Sequence, residues 1–369
     1  MEWGVITNEP DYQRIPQERD TVTRITNFGA DNLYPQRMKA TMQLSPIAKS
    51  SVNLMAEFIR GDGWTNGDKI LNTSGDSAND LLFLISQDLA LFNGYGLHIN
   101  SSALGLPRTV EFVDFENIRL GLRNTSGNIN DCRVSINWSG ADPSLPDQLL
   151  REERFKLYDP SLAGGEAITE KKGMLMYVTP RKNTYPLSTI DAIIEDCQSN
   201  AELAKFTLGN ITNGFLSMSI FKYPSGGDTE VEEEELRKKL NAFKGSMNAN
   251  SVIIASIDED AENFQNLIEQ VPANNNDALF VQSTINVRNS ILGSFALPRA
   301  LVGYQSEGSL FTQQQVADDY TYMNLRTKDL RNQIERTFNE KLGLKLGAII
   351  PNQFESSTML NNTPNGNNP

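Results

Sequence analysis

The chain has 369 residues, 39% of them hydrophobic, and a formal net charge of −13 from 33 basic and 46 acidic residues. This length favours more than one packed unit, and the apolar fraction excludes a wholly disordered protein. The acidic balance argues against tight binding of nucleic-acid phosphates, which requires clustered lysine and arginine.

The first half of the chain predicts a mixed α+β region. Thr21 to Ile25 favours a strand, and Phe28 to Pro35 favours a turn followed by an extended X-Pro pair. Two amphipathic helices follow. One begins at Ser45-Pro46, where serine is a cap and proline the first helical residue, and the other covers residues 80–92. Alternating runs then predict short strands at 96–100, 109–113, 118–122, 132–138, 155–158 and 174–179.

The second half predicts a long helix, a strand, a short helix, a strand and another long helix. The first helix covers Ser188 to Leu208, with Asp191 placed three residues after Ser188 as in a capping box. Strands at 215–223 and 250–257 enclose a charged helix at 230–244. The second long helix begins at Asn276 or Asp277 and stops at Pro298, because proline has no N–H to continue the helical ladder.

The C-terminal part predicts a polar loop followed by one more helix. The loop covers residues 305–309, and apolar residues then keep a helical period from Leu310 to Leu342. From residue 352 the chain is rich in Asn, Ser, Thr and Pro, which is typical of a disordered tail.

Residues that would indicate catalysis or metal binding are sparse. His98 is the single histidine and lies in a predicted strand, and Cys132 and Cys197 are far apart, so a structural role is expected for all three. The sequence contains no phosphate-binding G-x-x-x-x-G-K-[ST] motif, no apolar run of 18 residues and no secretory signal. The tight carboxylate groups are Asp258-Glu259-Asp260 and Asp318-Asp319, which a two-metal nuclease could use.

Several short phrases resemble the portal proteins of HK97-type tailed bacteriophages. Ser294-Phe295-Ala296-Leu297-Pro298, followed by Leu301-Val302-Gly303, is similar to the family's passage from a helix into a loop. The stretch Tyr185 to Ile190 resembles the start of the family's first long helix, although Tyr185-Pro186 replaces the usual glycine. Gly29 to Pro35 is similar to an opening phrase of portal proteins from phages of Bacteroidetes-type hosts. The resemblance covers roughly residues 30–345.

This resemblance implies an α+β portal architecture. Residues 1–184 would form the wing, residues 185–209 and 276–298 two long stem helices, and residues 210–275 a small strand-helix-strand clip held between them. Residues 299–312 would form a tunnel loop and residues 313–350 a long helix of the wing or crown, with a disordered tail at 351–369.

The resemblance also implies functional residues. The side chains expected to face DNA in the channel are Gln305, Ser306, Glu307, Ser309 and Gln313. Those expected to bury the contact between stems of neighbouring copies are Ile193, Ile194, Ile285 and Ile291. Those expected to face the terminase or the adaptor from the clip are Glu232, Glu233, Lys238 and Lys239. A solvated loop and a solvated charged helix are the simpler interpretations of the first and third sets.

The implied function is mechanical. The family forms a ring, typically a dodecamer, at one capsid vertex, through which double-stranded DNA is packaged and ejected. The implied partners are other copies of the chain, the major capsid protein, the terminase large subunit, the head–tail adaptor and, non-specifically, the DNA. The resemblance implies no enzymatic activity, cofactor, metal or membrane, and a virion protein assembled in the bacterial host cytoplasm.

Two alternatives remain open from the residues alone. One is a monomeric cytoplasmic enzyme with a carboxylate site, for which loss of activity in Asp258→Ala at an unchanged oligomeric state would be evidence. The other is a different α+β structural or scaffold protein of a virion.

Overall fold

The structure is a computed structural model, and the residues it describes fall into two compact units. One comprises Met1–Ile194 with Ile291–Pro369, and the other Glu195–Ser290; we call them the first and second unit. The description covers residues 19–20, 24–101, 107–125, 128–138, 153–158, 173–180, 185–212, 219–224, 252–257, 268–270, 277–303 and 312–354. Mixed helix and sheet agrees with the predicted α+β class.

A six-stranded sheet forms one layer of the first unit, in the order β5-β4-β9-β8-β7-β6. Its strands are β4 (Tyr95–Ser101), β5 (Pro107–Val113), β6 (Ile118–Leu120), β7 (Asp131–Val134), β8 (Glu153–Leu157) and β9 (Met174–Val178). Neighbours pair antiparallel except β8 and β9, which are parallel. The six predicted strands are confirmed. Their inward side chains Ile118, Cys132 and Leu175 are fully buried and form a core.

Three helices precede this sheet. The first, α1 (Tyr34–Leu44), corrects the prediction of an extended Tyr34-Pro35 pair, because proline at the first turn has a φ suited to a helix and lacks only an N–H that would be unpaired there. The second, α2 (Pro46–Arg60), is capped as predicted by Ser45, whose Oγ accepts from the Ala48 N–H at 3.3 Å. The third, α3 (Ala78–Phe92), begins two residues earlier than predicted, at a capping box of Ser77 and Asp80. Two-residue strands β1 (Arg19–Asp20) and β2 (Ile25–Thr26) pair ahead of these helices, and β3 (Gly63–Trp64) lies between α2 and α3.

The second unit is built on parts of two long helices and a small sheet. The helices are α4 (Ile194–Thr212) and α5 (Asp277–Ser294). The first residue of α4 and the last turn of α5, from Ile291, belong to the first unit. The sheet has the order β11-β10-β12, with β10 (Ser219–Pro224) parallel to β11 (Val252–Ile257) and antiparallel to β12 (Ile268–Gln270). The two predicted strands coincide with β10 and β11, whereas β12 was not predicted. The predicted helix at 230–244 lies outside the described residues.

The C-terminal part returns to the first unit. Helix α6 (Gln313–Glu335) continues as a π-helical segment, Arg336–Lys341. Thr327 and Arg331 donate to the Phe58 carbonyl at 3.2 and 2.7 Å, which places two donors on the unpaired C-terminal turn of α2. Strand β13 (Ile349–Ile350) then pairs antiparallel with β3. This pairing was not predicted, because two residues are too few to show an alternating pattern.

Candidate functional site

The start of the predicted first stem helix is anchored by Tyr185. Its ring stacks on that of Phe28, with centroids 4.0 Å apart. Its hydroxyl donates to the Thr26 carbonyl at 2.5 Å and accepts from the Leu120 N–H at 2.8 Å. All of these partners belong to the first unit. Tyr185, which stands where the resemblance would place a glycine, therefore provides a buried aromatic anchor before the helix.

The predicted capping box of Ser188 and Asp191 is wrong. The Ser188 hydroxyl donates to the Leu91 carbonyl at 2.7 Å, and the Asp191 carboxylate accepts from the Tyr34 hydroxyl at 2.7 Å. Both side chains therefore tie this segment to α3 and α1. The regular helix begins later, at Ile194, after a 3-10 turn at Asp191–Ile193.

A buried arginine lies behind the same anchor. The Arg119 guanidinium donates to the Asn32 side-chain oxygen at 2.6 Å and to the Glu116 and Ile118 carbonyls at 2.8 and 2.9 Å, and it lies 4.9 Å from the ring centroid of Trp138. Burial lowers the pKa of Arg119 to about 10, so the side chain stays charged at neutral pH. Because its donors are directed at protein oxygens, we assign it a structural role.

Helix α4 changes from buried to exposed along its length. Ile193, just before it, and Cys197, in its first turn, are buried, and Ile194 is half-buried. Further along, Phe206 and Leu208 are exposed, Leu208 by 64%. Contiguous apolar surface can mark a face that is covered in an assembly, whereas single exposed apolar side chains are common.

Helix α5 shows the opposite order. Val281, near its start, is 60% exposed, and Ile285 is half-buried. Towards its end, Ile291, Leu292 and the following Phe295 are buried. Of the four predicted stem residues, Ile193 and Ile291 thus belong to the core of the single chain, while Ile194 and Ile285 keep some exposure. Helical periodicity shows which residues share a face but cannot show that Leu208 and Val281 face solvent.

The two stem helices touch within the second unit. The Ser290 hydroxyl of α5 donates to the Asp196 carboxylate of α4 at 2.6 Å. This bond is exposed, so it fixes register more than it stabilises. We call the exposed apolar residues Phe206, Leu208 and Val281 together the stem patch, although Phe206 and Leu208, two residues apart, lie on different sides of α4.

Helix α5 ends at Ser294, four residues before Pro298, where it was predicted to stop, and the chain then leads towards the segment predicted as the tunnel loop. Leu297 is buried before Pro298, a 3-10 turn covers Arg299–Val302, and Gly303 adopts a left-handed φ of 76° that favours glycine. The predicted loop residues Gln305, Ser306, Glu307 and Ser309 lie outside the described residues. Gln313 is exposed in the first turn of α6, which Thr312 caps by accepting from the Gln315 N–H at 3.2 Å. The predicted clip residues Glu232, Glu233, Lys238 and Lys239 also lie outside the described residues.

The side chains that could indicate catalysis have structural surroundings. His98 packs edge-on against Phe155, and burial raises the pKa of both the Cys132 and Cys197 thiols, that of Cys197 to about 11. Asp318 and Asp319 are consecutive on α6, and the neighbouring charge of Asp318 adds to burial in raising the pKa of Asp319. The described part of the chain contains no group of three or more metal-ligating side chains and no helix suited to crossing a membrane. The Asp258-Glu259-Asp260 group lies outside that part.

Comparison with known proteins gives a result at the level of structure. No protein-family profile and no curated protein matches the chain. A chain in the neck of a native gene transfer agent particle, computed with C12 symmetry, matches 88% of this chain and 86% of its own length at 13% identity, with a TM-score of 0.54. A chain of the gene transfer agent virion matches 86% and 84% at 13% identity, with a TM-score of 0.55.

The chain has the fold of these particle chains. An HK97-family phage portal protein from Corynebacterium diphtheriae also matches, over 88% of this chain and 97% of its own, at 10% identity and a TM-score of 0.46. The fold shared with a chain of a particle neck agrees with the resemblance found in the sequence. Helices α4 and α5 are those that the sequence predicted as stem helices, and the stem patch lies on them.

Proposed function

We propose that this chain is the portal subunit of a tailed phage or of a phage-derived particle. The observation that carries the proposal is the fold shared, over most of both chains, with a protein of a particle neck computed with C12 symmetry. The order of elements supports it: a mixed α+β unit, two long helices around a small sheet, and a long C-terminal helix. The chain would then reside in the virion, at one capsid vertex, after assembly in the host cytoplasm.

In this proposal copies close into a ring of twelve. A ring needs a heterologous interface, in which one patch meets a different patch on the next copy. The stem patch supplies apolar surface for it, since burying each such side chain contributes about 1.5–3 kcal/mol. Of the four isoleucines predicted for the interface, Ile194 and Ile285 retain exposure to contribute, whereas Ile193 and Ile291 are already used by the core.

Double-stranded DNA would move through the ring without being held. Each copy carries a net charge of −13, so the ring repels phosphates as a whole. Polar side chains of the tunnel loop, Gln305, Ser306, Ser309 and Gln313, would make brief contacts, and Glu307 would discourage sticking. The function is then passage during packaging and ejection, with no catalytic step and no cofactor.

The remaining partners would be met on the outside of the ring. The clip would present Glu232, Glu233, Lys238 and Lys239 to the terminase large subunit during packaging and to the head–tail adaptor afterwards, since mixed charges favour electrostatic docking. The major capsid protein would surround the vertex.

The test is particle mass together with shape. Mass photometry should give about twelve times 41.1 kDa, and negative-stain images should show rings with a central hole. Dimers or tetramers without a hole would contradict the proposal.

Two variants then locate the interface. Leu208→Asp and Ile285→Asp should each abolish rings while the far-ultraviolet spectrum stays that of the wild type. Lys205→Asp is the control, because it adds the same side chain to α4 at an exposed residue whose ion pair, within the described part of the chain, is with Glu202 at 2.7 Å, one turn away. Intact rings in both test variants would count against the stem assignment.

A further inference from the structure

A second surface of the first unit forms an open cleft that faces solvent. It is a cleft of about 360 Å³ beside α6, whose lining includes Leu325, Lys328, Glu335, Ile349 and Pro351. Leu325 is 67% exposed, the largest value among the exposed large apolar side chains of the described residues. A single exposed apolar side chain is common on protein surfaces, so this surface is distinguished by the cleft around Leu325 and by its charges. We call this surface the α6 cleft.

The chemistry of the cleft excludes an added β-strand as its occupant. The Ile349 N–H already donates to the Glu335 carboxylate at 2.8 Å, and Pro351 has no N–H to offer. Strand addition requires a row of free backbone groups at the edge. The occupant must therefore present side chains, as the face of a helix does.

The outer face of α3 presents such side chains. Phe83, Leu84 and Gln87 are exposed there, at the helical spacing that places them on one side. The Arg60 guanidinium lies 5.4 Å from the centroid of the Phe83 ring and covers one side of it, which leaves Leu84 as the free apolar group. We call this surface the α3 ridge.

Charge fixes how ridge and cleft would meet. Lys328, exposed, lies one turn after Leu325 on α6, and Asp80, exposed, lies one turn before Leu84 on α3. Hydrogen bonds from Ser77 lower the pKa of Asp80, so it is ionised at neutral pH. If Leu84 contacts Leu325 with the two helices antiparallel, Asp80 faces Lys328. Of the other charged groups, Arg331 and Glu335 line the cleft, Arg326 and Asp329 adjoin Leu325 and Lys328 on α6, and Arg60 covers Phe83 on the ridge.

We propose that the α3 ridge of one copy docks into the α6 cleft of the next copy in the ring. The proposal rests on the proposed function, and it adds a second copy-to-copy contact, in the first unit, to the one made by the stem patch. The two surfaces differ and lie on different helices, as a heterologous interface requires. The occupant of the cleft is thus a second copy of this chain.

The first experiment measures ring formation by mass photometry across a dilution series. Leu325→Asp and Leu84→Asp should each lower the apparent affinity between copies by at least about tenfold, since removing a central apolar contact of an interface commonly has that effect. Ile136→Asp is the matched control, because Ile136 is 64% exposed on the same unit and outside both surfaces. Thermal unfolding of each variant should match that of the wild type.

The second experiment traps the contact. The double variant Leu84→Cys with Leu325→Cys should give a ladder of disulfide-linked copies on mild oxidation, whereas each single variant should not. The two native cysteines are buried and serve as the background in the wild type.

The outcomes separate this inference from the proposed function. Rings that persist unchanged in both aspartate variants, with no ladder from the double cysteine variant, would overturn the ridge-and-cleft contact and leave the portal proposal intact. A wild-type protein that forms no rings at any concentration would overturn both.

Discussion

The buried and exposed ends of the stem helices have similar residue types and opposite surroundings. At the end shared with the first unit, Ile193, Cys197 and Ile291 are inside the chain's own core, whereas Leu208 and Val281 at the other end are in solvent. In the proposed ring, one apolar stripe on a helix would serve folding over one half and association over the other. Residues at the buried end should control the free energy of unfolding, and residues at the exposed end should control assembly.

The largest expected effect on stability is at the buried end. Ile291→Ala removes a fully buried side chain, so the free energy of unfolding should fall by about 2–4 kcal/mol, as transfer and cavity costs add. Urea unfolding of dilute, unassembled protein measures this. The counterpart Val281→Ala, at an exposed position, should change it by less than about 0.5 kcal/mol. Equal losses in the two variants would remove the distinction between the ends.

The anchor before α4 should have the next largest effect. Tyr185→Phe keeps the stacking on Phe28 but leaves the Leu120 N–H and the Thr26 carbonyl without the hydroxyl. Because a buried unpaired polar group costs roughly 1–3 kcal/mol, the free energy of unfolding should fall by about that amount. Tyr322→Phe, at an exposed tyrosine, is the control. A neutral result for Tyr185→Phe would show that the ring alone provides the anchor.

A pH-dependent effect should appear at Asp88, on the α3 side of the first unit. Burial raises the pKa of Asp88 to about 8, aided by the charges of Asp114 and Glu116, while its carboxylate accepts from the Phe115 N–H at 2.9 Å. The folded state thus binds a proton that the unfolded state releases near pH 4. The stabilisation is present below about pH 4 and is lost as pH rises towards 8.

Asp88→Asn tests this sign. The variant keeps an acceptor for Phe115 and cannot ionise, so its stability relative to the wild type should increase steadily between pH 4 and 8 and then level off. Urea unfolding at several pH values measures the trend. A difference that is constant with pH would show that the carboxylate titrates normally in the folded protein.

The smallest effect is expected where the two stem helices touch. Ser290→Ala removes an exposed hydrogen bond to Asp196, so the loss should be about 0.5 kcal/mol or less. Thr207→Ala, which removes a hydroxyl bonded to its own helix at Leu203, is the comparison. A loss above 1 kcal/mol for Ser290→Ala alone would show that this contact does more than set register.

Local signals in the sequence predicted the elements better than their environments. Ser45-Pro46 fixed the start of α2 because cap and proline act within one turn. The prediction of an extended Tyr34-Pro35 pair was wrong because this dipeptide suits both an extended pair and a first helical turn. The hydrogen bonds of Tyr34 with Ser188 and Asp191, far along the chain, favour the helix. Ser188 and Asp191 have capping-box spacing, but their side chains form hydrogen bonds to Leu91 on α3 and Tyr34 on α1 instead.

The candidate interface was predictable only in part, for a related reason. Periodicity placed Ile193 and Leu208 on one stripe, since it reports which side of a helix is apolar. What covers each part of that stripe depends on elements far along the chain. The α6 cleft has no local signal, because its walls join α6 to a strand that is two residues long.

The first unit can complete its fold only after its C-terminal part has been synthesised. The Phe58 carbonyl accepts from Arg331, and Trp64 pairs with Ile349, so each early residue is made long before its partner. At usual translation rates, the ribosome needs roughly 15–60 s to make the residues between them. During that interval the side of α2 and the edge of β3 that meet α6 and β13 are uncovered. A nascent chain therefore has a period in which chaperones have access to those surfaces, and the first unit is closed only after residue 350 has been made.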